Sequence, residues 1–296
     1  MMAYATPTAL EMAVKAAAKA SSLDTGRAVS GFYFHRFLCR IFSRQDTPFV
    51  LKGGQSMLAR TADARATRDI DLLSEKADID EALAELKHLA AIDLEDFVTF
   101  EFVGYKPIKA EDNYRAGLNV TFTPLLGGKR LQDISIDLVF DQIAYGKSEV
   151  VEPADRIDVP DIPTFGYRIY PATCSLADKL CAMVEMHGDR PSSRVKDLVD
   201  VAVYAVTTDF DDGELCRRAR IEATVRGIKL PEKYAAPMEW KRLYRGTFRK
   251  LVRQTGLPPE YAEIETAEAL AASLLDPVLS QEADGRRWYH ENLGWE

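Results

Sequence analysis

Apolar residues recur at helical spacing through the first forty positions, which predicts helices from Thr8 to about Ser22 and from Asp24 to about Arg44. Asp24 has the side chain to cap the second, and Phe34, Leu38, Ile41 and Phe42 fall on one of its faces. From Pro48 to about Tyr170 the pattern changes to short apolar runs parted by turn residues. It predicts strands at Phe49-Val50-Leu51, Asp69 to Leu73, Phe97 to Val103, Leu118 to Phe122 and Ile134 to Phe140, with one helix from about Ile79 to Leu89. Between two of these strands Pro124 to Arg130, with its Gly127-Gly128 pair, reads as a hairpin connection. After Pro171 strands are expected to cease. Helices are predicted at Ser175 to His187, Ser193 to Val206, Asp211 to Arg226, Met238 to Gln254 and from about Pro259 through Leu275, with Asp211 and Asp212 capping the third of these. The expected organisation is a helical flank over 1–46, an α/β core over 47–170 and a helical region over 171–296.

Composition narrows the class. The 296 residues are 47% apolar and 28% charged, which excludes disorder and fits one large or two modest globular domains. No apolar run is long enough for a membrane span, and Glu11, Lys15 and Lys19 interrupt the N-terminal alanines, so neither a span nor a signal peptide is expected; the expected location is the cytoplasm. Cys39, Cys174, Cys181 and Cys216 have no disulfide or metal-knuckle spacing, nor do His35, His88, His187 and His290 have ligand spacing; all read as structural. The net charge of -8 conceals a segregation: residues 217–253 hold twelve basic and three acidic side chains, against two and nine over residues 254–296.

The chemistry concentrates in Val50-Leu51-Lys52-Gly53-Gly54-Gln55-Ser56 and, after a polar spacer, Arg65-Ala66-Thr67-Arg68-Asp69-Ile70-Asp71. A strand leading through Gly53-Gly54 into a helix brings backbone N–H groups and a helix N-terminus to one place, a means of holding phosphate with Ser56 as a hydroxyl donor. Asp69 and Asp71, alternate residues of a strand, point to one face about 6.6 Å apart along the backbone, where two carboxylates can share divalent cations. Ile70 and Leu72 then face the core. Asp137 interrupts the apolar strand Ile134 to Phe140, where a buried carboxylate would need a cation. Two Mg²⁺ ions held by this trio would serve phosphoryl or nucleotidyl transfer from a nucleoside triphosphate, with Asp137 nearer the nucleophile.

A Gly-Gly turn, a spacer, Asp-x-Asp and a later strand aspartate resemble the signature of the DNA polymerase β-like nucleotidyltransferase superfamily. More narrowly, Leu51 to Ser56 with Arg65 to Asp71 is similar to the AbiEii/AbiGii toxin family, which includes the mycobacterial MenT toxins. Leu176-Ala177-Asp178-Lys179-Leu180 and Arg194-Val195-Lys196-Asp197-Leu198-Val199-Asp200 resemble that family's later "KL" and "R-x-x-D-x-x-D" motifs. The resemblance implies an α+β fold: a polymerase-β-like core with a mixed β-sheet, N-terminal helices and a C-terminal helical region, the active site lying in the cleft between core and helical region. It implies catalytic roles for Asp69, Asp71, Lys179, Asp197 and Asp137, metal binding by Asp69, Asp71 and Asp137, and nucleotide binding by Lys52, Gly53, Gly54, Ser56, Arg65 and Arg68. The chain departs from the pattern at Gln55, where relatives often carry Ser or Thr. Thr67 occupies a position that a partner antitoxin phosphorylates in a related group, and a phosphate there would repel a triphosphate. From the residues alone, Lys179 reads first as a lysine snorkelling over the core, and Arg194/Asp197 and Lys196/Asp200 as helix surface pairs.

The basic segment predicts an acceptor. Lys241, Arg245 and Arg249 recur every four residues with Arg242 and Arg253 close in angle, a stripe able to track a phosphate backbone. Its bland alternative is pairing with Glu260, Glu263, Glu265 and Glu268. The resemblance implies nucleotide transfer to the 3′ end of tRNA, which blocks translation, and a cognate antitoxin as partner. The rival readings are a nucleotidyltransferase acting on a small molecule and a non-enzymatic module that binds nucleic acid or protein.

Overall fold

The computed structural model describes residues 4–67, 69–76, 78–108, 117–140, 144–280 and 285–296. Arg68 lies outside them. The chain divides into two compact units, one of residues 1–60, 66–142 and 148–170, the other of 61–65, 143–147 and 171–296.

In the first unit, α1 (Pro7–Ala20) starts at Thr6, whose side chain accepts from the Ala9 N–H, and buries Leu10, Val14 and Ala18 at four-residue spacing. Asp24 caps α2 (Thr25–Ile41) by accepting from the Arg27 N–H at 2.9 Å. Instead of one apolar face, α2 buries nearly its whole second half, Arg36 and Arg40 included. Both guanidinium groups reach Asp96, Nε of Arg36 at 2.5 Å and Nη2 of Arg40 at 2.8 Å, which explains how two cations tolerate the interior. There follow β1 (Phe49–Lys52), α3 (Gly53–Arg60), β2 (Asp69–Ser74), α4 (Ile79–Ala90), β3 (Val98–Pro107), β4 (Gly117–Leu126), β5 (Lys129–Arg130), β6 (Ile134–Val139), β7 (Glu149–Val151) and β8 (Tyr167–Ile169). β3 begins one residue later than expected because Phe97 has a left-handed backbone, φ 58°.

These strands form one mixed sheet in the order β3-β4-β6-β2-β1-β8-β7, with β5 paired to β4. The β2/β6 and β1/β8 pairs are parallel and the others antiparallel. Gly127 and Gly128, both with positive φ, make the two-residue turn from β4 to β5. Alternation places Ile70, Leu72, Ile136 and Leu138 in the core with Phe37 of α2 and Phe122 of β4. Asp69, Asp71 and Asp137 occupy the intervening positions of β2 and β6.

The second unit is chiefly helical: α5 (Ala172–Val184), α6 (Val195–Thr207), α7 (Asp212–Arg226), α8 (Arg245–Val252) and α9 (Ile264–Leu279). Asp211 caps α7 by accepting from the Glu214 N–H at 2.7 Å, and Gly227 ends it in the left-handed conformation. Asp212 lies in the first turn of α7 with its carboxylate accepting from the Arg286 N–H at 3.1 Å, so it is not the cap. Strands do not cease at Pro171. β9 (Met186–His187) and β10 (Arg190–Pro191) form a small hairpin about Gly188, and β11 (Phe210–Asp211), β12 (Arg287–Tyr289) and β13 (Gly294–Trp295) form a three-stranded sheet. That sheet is fastened by buried Trp288, whose Nε1 donates to the Ala205 carbonyl at 2.9 Å. The helix expected over Met238 to Gln254 contains a π-helical turn at Trp240–Tyr244 ahead of α8. Trp240 is fully buried there and donates to the Ser192 carbonyl at 2.6 Å. Among the described residues no helix is long and apolar enough to cross a membrane.

Candidate active site

Lys52 ends β1, Gly53 turns the chain, and Asp71 of the antiparallel β2 stands in register opposite Lys52. Gly53 has φ +61°, and a Cβ added to it would lie 1.8 Å from Oδ2 of Asp71. The carboxylate of Asp71 therefore fills the space above the turn, and only glycine fits on both counts. Asp71 is also in register with Asp137 of the parallel β6, and Asp69 with Ser135. Asp69 is exposed, while Asp71 and Asp137 are half-buried. The three carboxylates thus share one region of the sheet, two neighbouring along β2 and the third one strand away.

Asp137 is not the buried charge expected. Its strand alternates, and the face carrying it is only partly covered. Its Oδ1 accepts from Nδ2 of Asn119 on β4 at 2.6 Å, an amide that also reaches Ser135 Oγ at 2.7 Å. Asn119 escaped the sequence reading; its signal is a polar residue between Leu118 and Val120 in an otherwise apolar strand. The donors suit a hard cation, since all three are carboxylates and Gly53 leaves room for Asp71. Among the described residues, however, no three His, Cys, Asp or Glu side chains are already gathered as a ligand cluster.

Ser56 does not offer its hydroxyl outward. It is fully buried, and its Oγ donates to the Gly53 carbonyl at 2.9 Å, closing the turn from within. Gln55 is buried beside it, its amide 3.4 Å from Asp155 Oδ2. Gly54 lies in the first turn of α3, so its N–H belongs to the helix N-terminus. Thr67 donates its hydroxyl to the Asp69 carbonyl at 3.1 Å and is half-buried.

The residues of the later motifs form a different structure, wholly within the second unit. Lys179 of α5 is 9% exposed and donates to Asp197 Oδ1 at 3.1 Å and to Asp200 Oδ2 at 2.6 Å, both carboxylates on α6. Arg65 forks onto Asp200, Nε to Oδ1 at 2.8 Å and Nη2 to Oδ2 at 3.0 Å. Arg194 Nε holds the other oxygen of Asp197 at 2.5 Å. Burial by itself would lower the Lys179 pKa, but Asp197 and Asp200 outweigh it and raise the value above that of an ordinary lysine. Burial likewise opposes ionisation of Asp197, yet Lys179 and Arg194 hold its pKa well below the usual carboxylate range. Neither Lys179 nor Arg65 is the uncommitted triphosphate cation expected, because both are engaged by carboxylates; nor is Asp197 a solvent-facing acid. The helix-surface pairing of Lys196 with Asp200 does not form, Lys196 being exposed and Asp200 turned inward to Arg65 and Lys179.

The basic stripe is partly neutralised. Lys241 pairs with Glu268 at 2.5 Å, Arg249 with Glu263 at 2.7 Å, and Arg245 with Glu263 at 3.5 Å and more closely with Glu265. Arg242 and Arg253 are exposed and have no ion pair among the described residues. The π-helical turn breaks the regular four-residue repeat between Lys241 and Arg245.

No curated protein matches the chain. Among solved structures, it is similar to MenT4, a nucleotidyltransferase toxin from Mycobacterium tuberculosis, at 16% identity and TM-score 0.54, covering 92% of this chain and 89% of that one. A putative nucleotidyltransferase from H. pylori also matches, at 17% identity and TM-score 0.49, over 85% of this chain and 97% of that one. The family model described as nucleotidyl transferase AbiEii toxin, type IV toxin–antitoxin system, matches residues 36–272. That span takes in both the glycine turn with its facing aspartates and the later Lys179 to Asp200 network, and on it the chain belongs to the AbiEii family of nucleotidyltransferase toxins.

Proposed function

We propose that this nucleotidyltransferase toxin moves a nucleotide from a nucleoside triphosphate to an RNA acceptor, the 3′ end of tRNA, and thereby stops translation in the cytoplasm. The observation that carries the reading is the fit of Asp71 over Gly53, which joins the phosphate turn to the acidic strand. In this reading the N-terminus of α3, with the Gly53 and Gly54 N–H groups, receives phosphate oxygens. Lys52 adds positive charge beside them, and Arg68 is a proposed triphosphate contact on the family resemblance alone. Asp69 and Asp71 would hold Mg²⁺, with Asp137 completing the set. Such ions, when bound there, would supply positive charge against the triphosphate and favour ionisation of the attacking hydroxyl. Asn119 fixes the orientation of Asp137, which stands ready to take the proton of the incoming hydroxyl.

Lys179, Asp197, Asp200 and Arg65 serve as a fixed ionic framework of the second unit, and the catalytic part that the family motif implies for Lys179 and Asp197 is tested by Lys179→Ala in the transfer assay. For the acceptor, Arg242 and Arg253 are the leading phosphate contacts, while Lys241, Arg245 and Arg249 would exchange a glutamate for RNA. Thr67 is the proposed target of an antitoxin that phosphorylates: the phosphate would replace the hydroxyl proton that bonds the Asp69 carbonyl and set negative charge beside the carboxylates. A mass spectrum of protein coexpressed with its antitoxin tests this by the presence or absence of added phosphate on Thr67. The glutamate pairing of the stripe favours a second reading, a small-molecule acceptor.

One experiment decides between them. Purified protein is incubated with Mg²⁺, total tRNA and each labelled triphosphate in turn, beside Asp71→Ala. Label entering tRNA with the intact protein alone is the expected result. Triphosphate turnover that is independent of RNA would establish the small-molecule reading.

A further inference from the structure

Apart from the glycine turn, the first unit holds a cavity of about 210 Å³ between α2 and the chain that connects β7 to β8. None of the residues lining it belongs to the turn or to the acidic strands. Its apolar lining is Phe32 of α2 with Ile157, Val159 and Ile162 of the connection, and its buried cation is Arg36, 1% exposed. The guanidinium of Arg36 is only partly used. Nε donates to Asp96 and Nη1 to the Pro163 carbonyl at 2.6 Å, so the group reaches the wall that Ile162 and Thr164 line. Nη2 is buried and has no hydrogen-bond partner among the described residues. A buried donor left unbonded is costly, and a charged one more so. The charge is unbalanced as well: Arg36 and Arg40 pair with one carboxylate, Asp96, which leaves that buried group with one positive charge in excess. Arg156 of the same lining is paired with Glu152 at 2.6 Å. Asp158, the one carboxylate of the lining, is exposed and makes no ion pair with Arg36 among the described residues.

We propose that this cavity binds a small monocarboxylate with an aromatic or branched apolar body, its carboxylate on Nη2 of Arg36 and its body among Phe32, Ile157, Val159 and Ile162. Nη2 carries N–H groups and no lone pair, so its partner must be an acceptor, and the surplus positive charge favours an anionic one. Because the surplus is a single charge and Asp158 stands in the same lining, a monoanion suits the site and a phosphate dianion does not. The size agrees with this class. An apolar cavity of roughly 150 Å³ takes a benzene ring, and the 210 Å³ found here adds room for a carboxylate. Apolar walls with a few fixed polar groups are the usual composition of a small-molecule site.

The test is a ligand-detected NMR titration of the full chain with benzoate as the probe. Benzamide, its neutral isostere, acetate, which lacks the apolar body, and inorganic phosphate serve for comparison. Benzoate should saturate one site with a Kd about tenfold or more below those of the other three. Arg36→Met should weaken benzoate about tenfold and leave benzamide within about twofold, its folding being checked by circular dichroism because Arg36 also holds Asp96. Thr164 is an exposed residue of the lining, so Thr164→Glu and Thr164→Gln make the same comparison without disturbing the core. The added carboxylate should weaken benzoate about fivefold relative to the glutamine variant. Equal benzoate affinity in the two Thr164 variants overturns the inference, as does a folded Arg36→Met that binds benzoate as wild type does. Benzamide, acetate or phosphate binding as tightly as benzoate overturns the ligand class. No saturable benzoate binding at millimolar concentration overturns the site itself and leaves the cavity to water.

Discussion

Two groups of aspartates in this chain share a chemistry and differ in condition. On β2 and β6, Asp69, Asp71 and Asp137 gather at partly exposed positions of one sheet, an excess of negative charge beside a glycine turn. On α6, Asp197 and Asp200 are buried and surrounded by Lys179, Arg65 and Arg194, so their charge is balanced by the second unit itself. The first group lies where a cation from outside could reach it, and the second is engaged by cations of its own unit. Buried ion pairs of the second kind contribute modestly to net stability while being costly to break, whereas acids of the first kind are poor for stability and useful for chemistry.

If that contrast holds, Asp71→Ala lowers nucleotidyl transfer on the order of a thousandfold or more, with a thermal midpoint within a few degrees of wild type. Transfer at wild-type rates from Asp71→Ala would erase the distinction. Asp200→Ala should do the reverse in kind, destabilising the protein by about 3–5 kcal/mol in urea unfolding, because Arg65 and Lys179 would lose the buried carboxylate that they share. Gly53→Ala falls between: its Cβ meets Asp71 Oδ2 and its φ is unfavourable, so transfer should fall about a hundredfold as the carboxylate is pushed aside. A Gly53→Ala protein of full activity would mean that the turn and Asp71 do not work together.

Acid sharpens the comparison further. With the Asp197 pKa held below its ordinary value, that carboxylate contributes stability above about pH 3.9, and the contribution disappears as the pH falls through the folded-state value. Lys179, whose pKa is raised, contributes below about pH 10.4 and loses that contribution as the pH rises through its folded value. Urea midpoints recorded from pH 6 to pH 2 should therefore drop more steeply for wild type than for Asp197→Asn. The smallest effect belongs to Arg249→Ala. Its exposed pair with Glu263 adds little to stability, while a phosphate contact would appear as a log–log salt slope for tRNA binding reduced by about one.

Much of the fold was legible because it depends on local rules. Asp24 and Asp211 announce their helices, Gly227 closes one, Gly127-Gly128 turns a hairpin, and the alternation in Asp69-Ile70-Asp71-Leu72 tells core from open face. What escaped depends on distant partners. Nothing near Arg36 and Arg40 in sequence foretells Asp96, so α2 read as an amphipathic flank. The strands β7 and β8 are three residues each, too short for a period to register. The π-helical turn carries Trp240, whose bond to Ser192 reaches across 48 positions. In the candidate site the glycine turn and the Asp-x-Asp pair were readable as motifs. The inward turn of Ser56, the Asn119 bond to Asp137 and the double engagement of Lys179 were not, because a motif names residues and leaves their hydrogen-bond partners unspecified.

The interleaving of the two units has a consequence for the order in which the protein is made. Thr61–Arg65 separates α3 from β2 in sequence but belongs to the second unit, where Arg65 is held by Asp200 and the Asp63 carbonyl accepts from the Gly256 N–H at 2.9 Å. A ribosome reads out the glycine turn and the acidic strand well before it reaches Gly256. Domains that are continuous in sequence can fold as they emerge, but the connector leading into Asp69 must wait for residues almost two hundred positions downstream. A chain built this way fastens one of its early segments late, and a prematurely terminated copy is left with its connector unfastened.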